Sequence, residues 1–197
     1  MNIPFKAFVV FALICVTPFI ATAQQPYAST LENKELDPEN TIYLDLKDGR
    51  VVIKMLPEVA PNHVARIKEL TRQGFYDGLV FHRVIDGFMA QTGDPDGADP
   101  DISGSGGSGQ NLDAEFSDTP HYKGMVSMAR STDPNSADSQ FFICLAFSPH
   151  LDGEYTVWGE VVKGMRYADR IKKGVVAEGM TDPDKIIKMQ VAADVEE

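Results

Sequence analysis

The sequence predicts a mainly β domain in which short strands close into a barrel capped by helices. Two observations carry this. Apolar residues alternate with polar ones on both sides of Asp48-Gly49: Ile42, Leu44 and Leu46 before it, Val51, Ile53 and Met55 after it. An Asp-Gly pair between two alternating runs is a strong hairpin signal. Further short strand-like runs recur down the chain, and only two stretches have helical character, the pattern of a small barrel. There is no internal repeat.

The elements follow in order. Residues 24–40 are polar and carry Pro26 and Pro38, a flexible lead-in to a domain over 41–197. After the hairpin, Pro61 opens a helix in which Val64, Ile67 and Leu70 recur every three residues while Arg66, Lys68 and Glu69 lie off that line, and Gly74 stops it. Residues 78–91 read as one mixed apolar, strand-like run. Residues 94–110, rich in Gly, Asp and Ser, form a long loop, and long loops inside compact domains are often functional. Strands resume over 124–129, 140–146 and 155–162. Within the second of these, Gln140-Phe141-Phe142-Ile143-Cys144 is apolar on both faces, as in a strand buried inside and covered outside. A second helix over 165–172 ends at Gly174, and 186–191 is a last strand.

The first residues stand apart. Lys6 precedes an almost wholly apolar run, 7–20, followed by Ala21-Thr22-Ala23. This is the n-region, h-region and cleavage site of a signal peptide, too short for the ~20 residues of a membrane-spanning helix. Residues 1–23 are therefore expected to be cleaved, leaving no stable membrane association and a periplasmic or secreted address. Of the two cysteines, Cys15 and Cys144, only Cys144 would survive, so no internal disulfide is expected. The balance of 18 basic against 29 acidic residues, −11, becomes −12 once Lys6 is lost, 17 against 29. Such a surface repels phosphate backbones, which argues against nucleic acid as a partner. No spacing reads as a zinc site or a Cys/His pair, and no metal or cofactor is expected.

The chemistry lies in three ordered blocks. Phe81-His82-Arg83-Val84-Ile85-Asp86-Gly87-Phe88-Met89-Ala90-Gln91-Thr92-Gly93-Asp94 resembles the cyclophilin signature FHR-[IV]-I-x-GFM-x-Q-x-GD. Ser127-Met128-Ala129-Arg130, with Asn135 and Ser139-Gln140-Phe141-Phe142-Ile143, agrees with it, as does Leu151-Asp152-Gly153 with Val157-Trp158-Gly159. The resemblance covers about 41–193, and the wording MARSTDPNSADSQFFI looks bacterial. It implies a cyclophilin-like fold, a closed eight-stranded antiparallel β-barrel capped by two α-helices. It also implies peptidyl-prolyl cis/trans isomerisation without a cofactor, acting on proline-containing polypeptides. A monomer is the default.

Rotation about a peptide bond faces a barrier of ~18–20 kcal/mol because the nitrogen lone pair is delocalised into the carbonyl. X-Pro bonds populate both isomers yet exchange only over ~10–100 s. No bond need break; a catalyst must favour the twisted state, whose pyramidal nitrogen has regained its lone pair. A fixed guanidinium donating to that nitrogen binds the twisted state selectively. The resemblance gives this role to Arg83. It places Phe88, Met89, Phe142 and Leu151 at the proline pocket and gives Gln91 the substrate backbone. Ala129, Arg130 and Ser131 match the segment that pairs with the extended peptide. Gln140, His150 and Tyr155 complete the expected substrate-binding set.

Arg130 stands where well-known members carry asparagine. His150 replaces a tryptophan that helps hold cyclosporin in many eukaryotic members, so reduced sensitivity to that drug is expected. Tyr155 replaces a histidine and can still wall the pocket. His82 reads as a packed, hydrogen-bonded core histidine, because this chemistry needs no proton transfer. His63 and His121 lie in polar stretches without metal spacing. A proline-peptide-binding holdase is the competing reading, although binding alone would not require the arginine. A hydrolase or metalloenzyme lacks a visible nucleophile–base pair or ligand cluster.

Overall fold

The computed structural model describes residues 36–195. The expected leader, 1–23, and the lead-in up to residue 35 lie outside the described residues. The end of the lead-in is built: Asp37 accepts from the Glu39 amide at 3.0 Å and caps a 3-10 turn over Pro38–Asn40.

The hairpin forms as the alternation requires. β1 (Thr41–Leu46) pairs antiparallel with β2 (Gly49–Met55), from Thr41↔Lys54 to Leu46↔Gly49. The alternating residues Ile42, Leu44, Val51 and Ile53 are all fully buried. α1 (Pro61–Arg72) follows, its apolar line Val64, Ile67 and Leu70 in the core. Its N-cap, Ala60, has no side chain to offer. Glu115, distant in sequence, caps the helix instead: its carboxylate accepts from the Asn62 and His63 amides, both at 3.1 Å, and meets His63 Nδ1 at 2.6 Å. Anionic caps suit a helix N-terminus because its first amides lack intrahelical partners.

Residues 78–91 are not one strand. They hold β3 (Arg83–Ile85) and β4 (Met89–Thr92), antiparallel, with the turn at Asp86-Gly87. β5 (Met125–Met128), β6 (Phe141–Cys144) and β7 (Val157–Lys163) match three expected strands. The second helix is one turn only: α2 (Met165–Ala168). β8 (Gly174–Val175), unforeseen, and β9 (Lys188–Val191) complete the set.

The strands make one curled nine-stranded sheet in the order β8-β3-β4-β6-β5-β7-β2-β1-β9. This corrects the expected closed, eight-stranded barrel. The end strands β8 and β9 do not pair with each other. The ladder between the two ends shrinks to one isolated bridge, Val80↔Lys185, with flanking hydrogen bonds such as Phe81 N–H to Asp184 O at 2.8 Å. β8 has only two residues, too few to carry a closing ladder.

β6 shows how the sheet positions the site. Successive side chains of a strand face opposite ways. Phe141 and Ile143 enter the main core with Trp158, Tyr76 and Val126, whereas Phe142 and Cys144 enter a second apolar cluster with Met89, Met125 and Leu151. That second cluster lies beneath the site. No helix among the described residues is long and apolar enough to cross a membrane.

Candidate active site

Strand register gathers the expected residues. Arg83 pairs with Gln91, Gln91 with Phe142, and Phe142 with Ser127, a row across β3, β4, β6 and β5. Met89, two residues from Gln91, shares its face. A cavity of about 310 Å³ opens here. Arg83, Phe88, Met89, Gln91 and Phe142 line it from the sheet side; Ala129, Arg130, His150, Leu151 and Tyr155 line it from the loops.

The slot is aromatic and fixed. Tyr155 meets Phe142 edge-on, centroids 5.8 Å apart, and His150 lies 5.3 Å from Phe88. Leu151, buried, sits on the 3-10 turn Pro149–Leu151. Phe142 is backed by the His121 ring at 6.3 Å. Arg83 is solvent-exposed at the mouth. Its one side-chain contact is from Nη1 to Met89 Sδ, 3.8 Å, and no carboxylate pairs with it among the described residues. Its donors are free to face a ligand.

Ser131 and Gln140 do not line this slot. They belong to a larger adjoining cavity of about 650 Å³ that shares Gln91, Ala129 and Arg130 with it. Its other walls include Gly104 to Gly107, Gly109, Asn111, Ser136 and Asp138. Gln140 ties the two together. Its Oε1 accepts from Gln91 Nε2 at 2.9 Å, and its Nε2 donates to the Gly104 and Gly106 carbonyls at 3.0 and 2.8 Å. Asp94, fully buried, accepts from the Asp96 and Gly104 amides at 2.8 and 2.6 Å. Gly93 must be glycine: its φ is +88°, and a Cβ there would meet the Ser139–Gln140 backbone.

One histidine revises an expectation. His82 is packed, 2% exposed, but neither ring nitrogen has a hydrogen-bond partner. Burial holds its pKa below 6.5 against the opposing pull of Asp94. His63 and His121, which lie in polar stretches of the sequence, are both fully buried. His121 has Nδ1 2.8 Å from Asp152 Oδ1 and Nε2 3.1 Å from Ser127 Oγ. This is the order of a Ser-His-Asp hydrolase, which no local sequence pattern announced. It has no such use here, because Ser127 is fully buried and its hydroxyl also lies 2.8 Å from the Thr156 carbonyl. The network instead fixes the back of Phe142. Burial holds the His121 pKa down as well, with Asp152 opposing.

Fold and site together define a class: a mainly β protein with an open aromatic slot and, beside it, a guanidinium that no carboxylate pairs with among the described residues, an arrangement suited to seating an apolar ring next to a hydrogen-bond donor. The chain belongs to the cyclophilin-type peptidyl-prolyl cis-trans isomerases, since the family model described as "Cyclophilin type peptidyl-prolyl cis-trans isomerase/CLD" matches residues 41–191. It is 54% identical over 167 residues to a probable peptidyl-prolyl cis-trans isomerase of Brucella suis biovar 1 (strain 1330), covering 80% of this chain and 85% of that one. The crystal structure of the cyclophilin AquaCyp293 from Hirschia baltica is similar at a TM-score of 0.71 and 30% identity, covering 83% of this chain and 77% of that one. A Cryptosporidium parvum cyclophilin-type isomerase, crystallised in the presence of the dipeptide Ala-Pro, is similar at a TM-score of 0.68 and 26% identity, covering 77% and 98%.

Proposed function

We propose that this isomerase seats the proline ring of an extended polypeptide in the slot walled by Phe88, Met89, Phe142, Leu151 and Tyr155. Arg83 donates a hydrogen bond to the prolyl nitrogen as the bond twists. The observation that carries this is the uncompensated Arg83 guanidinium, in register with Gln91 and two strands from Phe142. The interaction exists mainly in the twisted state, where the nitrogen has a lone pair to accept it, so it lowers the barrier rather than merely holding substrate. Gln91 is held by Gln140 in an orientation suited to the substrate backbone. Ala129, Arg130 and Ser131 run along the seam of the two cavities, where an extended peptide would lie. The Ala-Pro dipeptide used with the Cryptosporidium relative is a ligand of the chemistry this slot would take.

The apolar leader over 7–20 and the Ala21-Thr22-Ala23 cut site support a role in folding exported proteins, with a monomeric mature chain beginning near Gln24. A protease-coupled assay on a short X-Pro peptide tests the mechanism. Arg83→Ala is expected to lose about a hundredfold or more in kcat/KM, the typical effect of deleting one transition-state donor, while still binding peptide. Full turnover in Arg83→Ala would sink the arginine's role, and peptide binding without wild-type turnover would favour a holdase. N-terminal sequencing and sizing of the exported protein check the leader and the monomer.

A further inference from the structure

The Arg130 side chain lines both cavities, yet its Nε and Nη1 are already engaged within the protein. Its guanidinium lies between two rings, Cζ 4.7 Å from the Tyr155 centroid and 5.8 Å from that of Phe116. Nε donates to the Glu154 carbonyl at 3.0 Å and Nη1 to the Ser131 carbonyl at 2.9 Å. The ion pair with Glu154, 3.4 Å, is to a carboxylate 66% exposed and adds little. The Arg130 side chain itself is only 12% exposed. Three loop segments, around 116, 131 and 154–155, therefore meet on one guanidinium.

Among the described residues Arg130 is the cation that stacks on the Tyr155 ring. The ring's far face rests edge-on against Phe142, which is backed in turn by His121. The aromatic wall of the slot is thus a stack clamped at its inner end by buried His121, itself held by Asp152, and at its outer end by Arg130. We propose that Arg130 is a positioning residue, which sets the width of the proline slot by pressing Tyr155 onto Phe142 without contacting substrate through its charge. This rests on the slot being the proline site. A planar guanidinium suits the task because it stacks on a ring with its face while donating in plane to backbone carbonyls, which an ammonium cannot do.

The test uses the full mature chain, a neutral X-Pro peptide and an acidic X-Pro peptide. Wild-type turnover is measured first; its absence would overturn the isomerase mechanism before any variant is read. Arg130→Ala is expected to raise KM about fivefold with kcat within about twofold, equally for both peptides, as loss of a partly desolvated cation–π clamp predicts. Arg130→Lys should be no better than alanine. In a Tyr155→Ala background, Arg130→Ala should be silent. Phe116→Ala, at a position 39% exposed, should raise KM about twofold, with a denaturant melt run beside it to check the fold. Rescue of KM by Arg130→Lys, a loss confined to the acidic peptide, full additivity with Tyr155→Ala, or an unchanged KM in Phe116→Ala would each overturn the clamp.

Discussion

The two adjoining cavities are built in opposite ways. The slot is walled by side chains, and four of them, Arg83, Met89, Gln91 and Phe142, stand on β3, β4 and β6, whose backbones are locked in the ladder. The larger cavity is walled mainly by the backbone of a glycine- and serine-rich loop, held by the buried carboxylate of Asp94 and the amide of Gln140. A side-chain wall on a sheet can be stiff because each residue also packs into an apolar cluster. A backbone wall needs a polar staple, because its amides and carbonyls must be satisfied wherever they face inward. Chemistry that depends on geometry sits in the first; the second offers a peptide's flanking residues polar contacts.

The largest effect should therefore come from the slot. Phe142→Ala is expected to cost about 3–5 kcal/mol of folding stability as well as turnover, since the ring is 4% exposed and belongs to the cluster beneath the site. A denaturant melt that shows no loss would mean that the slot wall is not part of the fold. Asp94→Ala should cost less, about 1–3 kcal/mol, by leaving the Asp96 and Gly104 amides without their buried acceptor. Its signature is proteolytic cutting within 94–110 while turnover of a short X-Pro peptide persists. If turnover falls as far as in Phe142→Ala, the two cavities are not separable.

Smaller again is Glu115→Gln, which weakens the cap on α1 by about 1 kcal/mol. Hydrogen bonds from His63 and Asn62 hold Glu115 below its ordinary 4.5 despite burial. Its contribution is thus complete above that value and fades as the pH falls below it, where wild type and variant melts should converge. The smallest effect is on activity in the neutral range. His82 and His121 are both held below 6.5 and stay neutral above it, so kcat/KM should vary by no more than about twofold from pH 7 to 9. Stability, in contrast, should decline below 6.5 as the unfolded chain takes up the protons that these buried rings refuse. A steep rate change near 6.5 with stability held constant would point to a histidine in the chemistry.

What was legible in the sequence is what repeats with a short period or stands in an unbroken motif. The hairpin at Asp48-Gly49 and the apolar line of α1 could be read because burial follows a period of two or a spacing of three to four. Arg83, Phe88, Met89, Gln91 and Phe142 were found together because motif blocks carried them. The turn at Asp86-Gly87 was within reach of the same Asp-Gly signal but lay between apolar residues that masked it. β8, two residues long, leaves no pattern, so an open nine-stranded sheet could not be told from a closed barrel. Glu115 with His63, Asp152 with His121 and Asp94 with Gly104 are tertiary polar pairs. Nothing local marks them, and the polar stretches around His63 and His121 carry no sign that both rings are buried.

Cys144 gives the two-faced strand a practical use. The thiol is fully buried beside Met89 and Phe142, and burial pushes its pKa up to about 12. Thiolate is the form that reacts with alkylating and oxidising agents, so at neutral pH roughly one molecule in 10⁵ would carry it even if reagent could enter. In a chain cut after Ala23 it is the sole sulfhydryl. Labelling must wait for β6 to leave the middle of the sheet, so its rate is a clock for opening at the floor of the slot. A proline ligand that slows this clock would be read as a protected sulfur, with no assay of turnover needed.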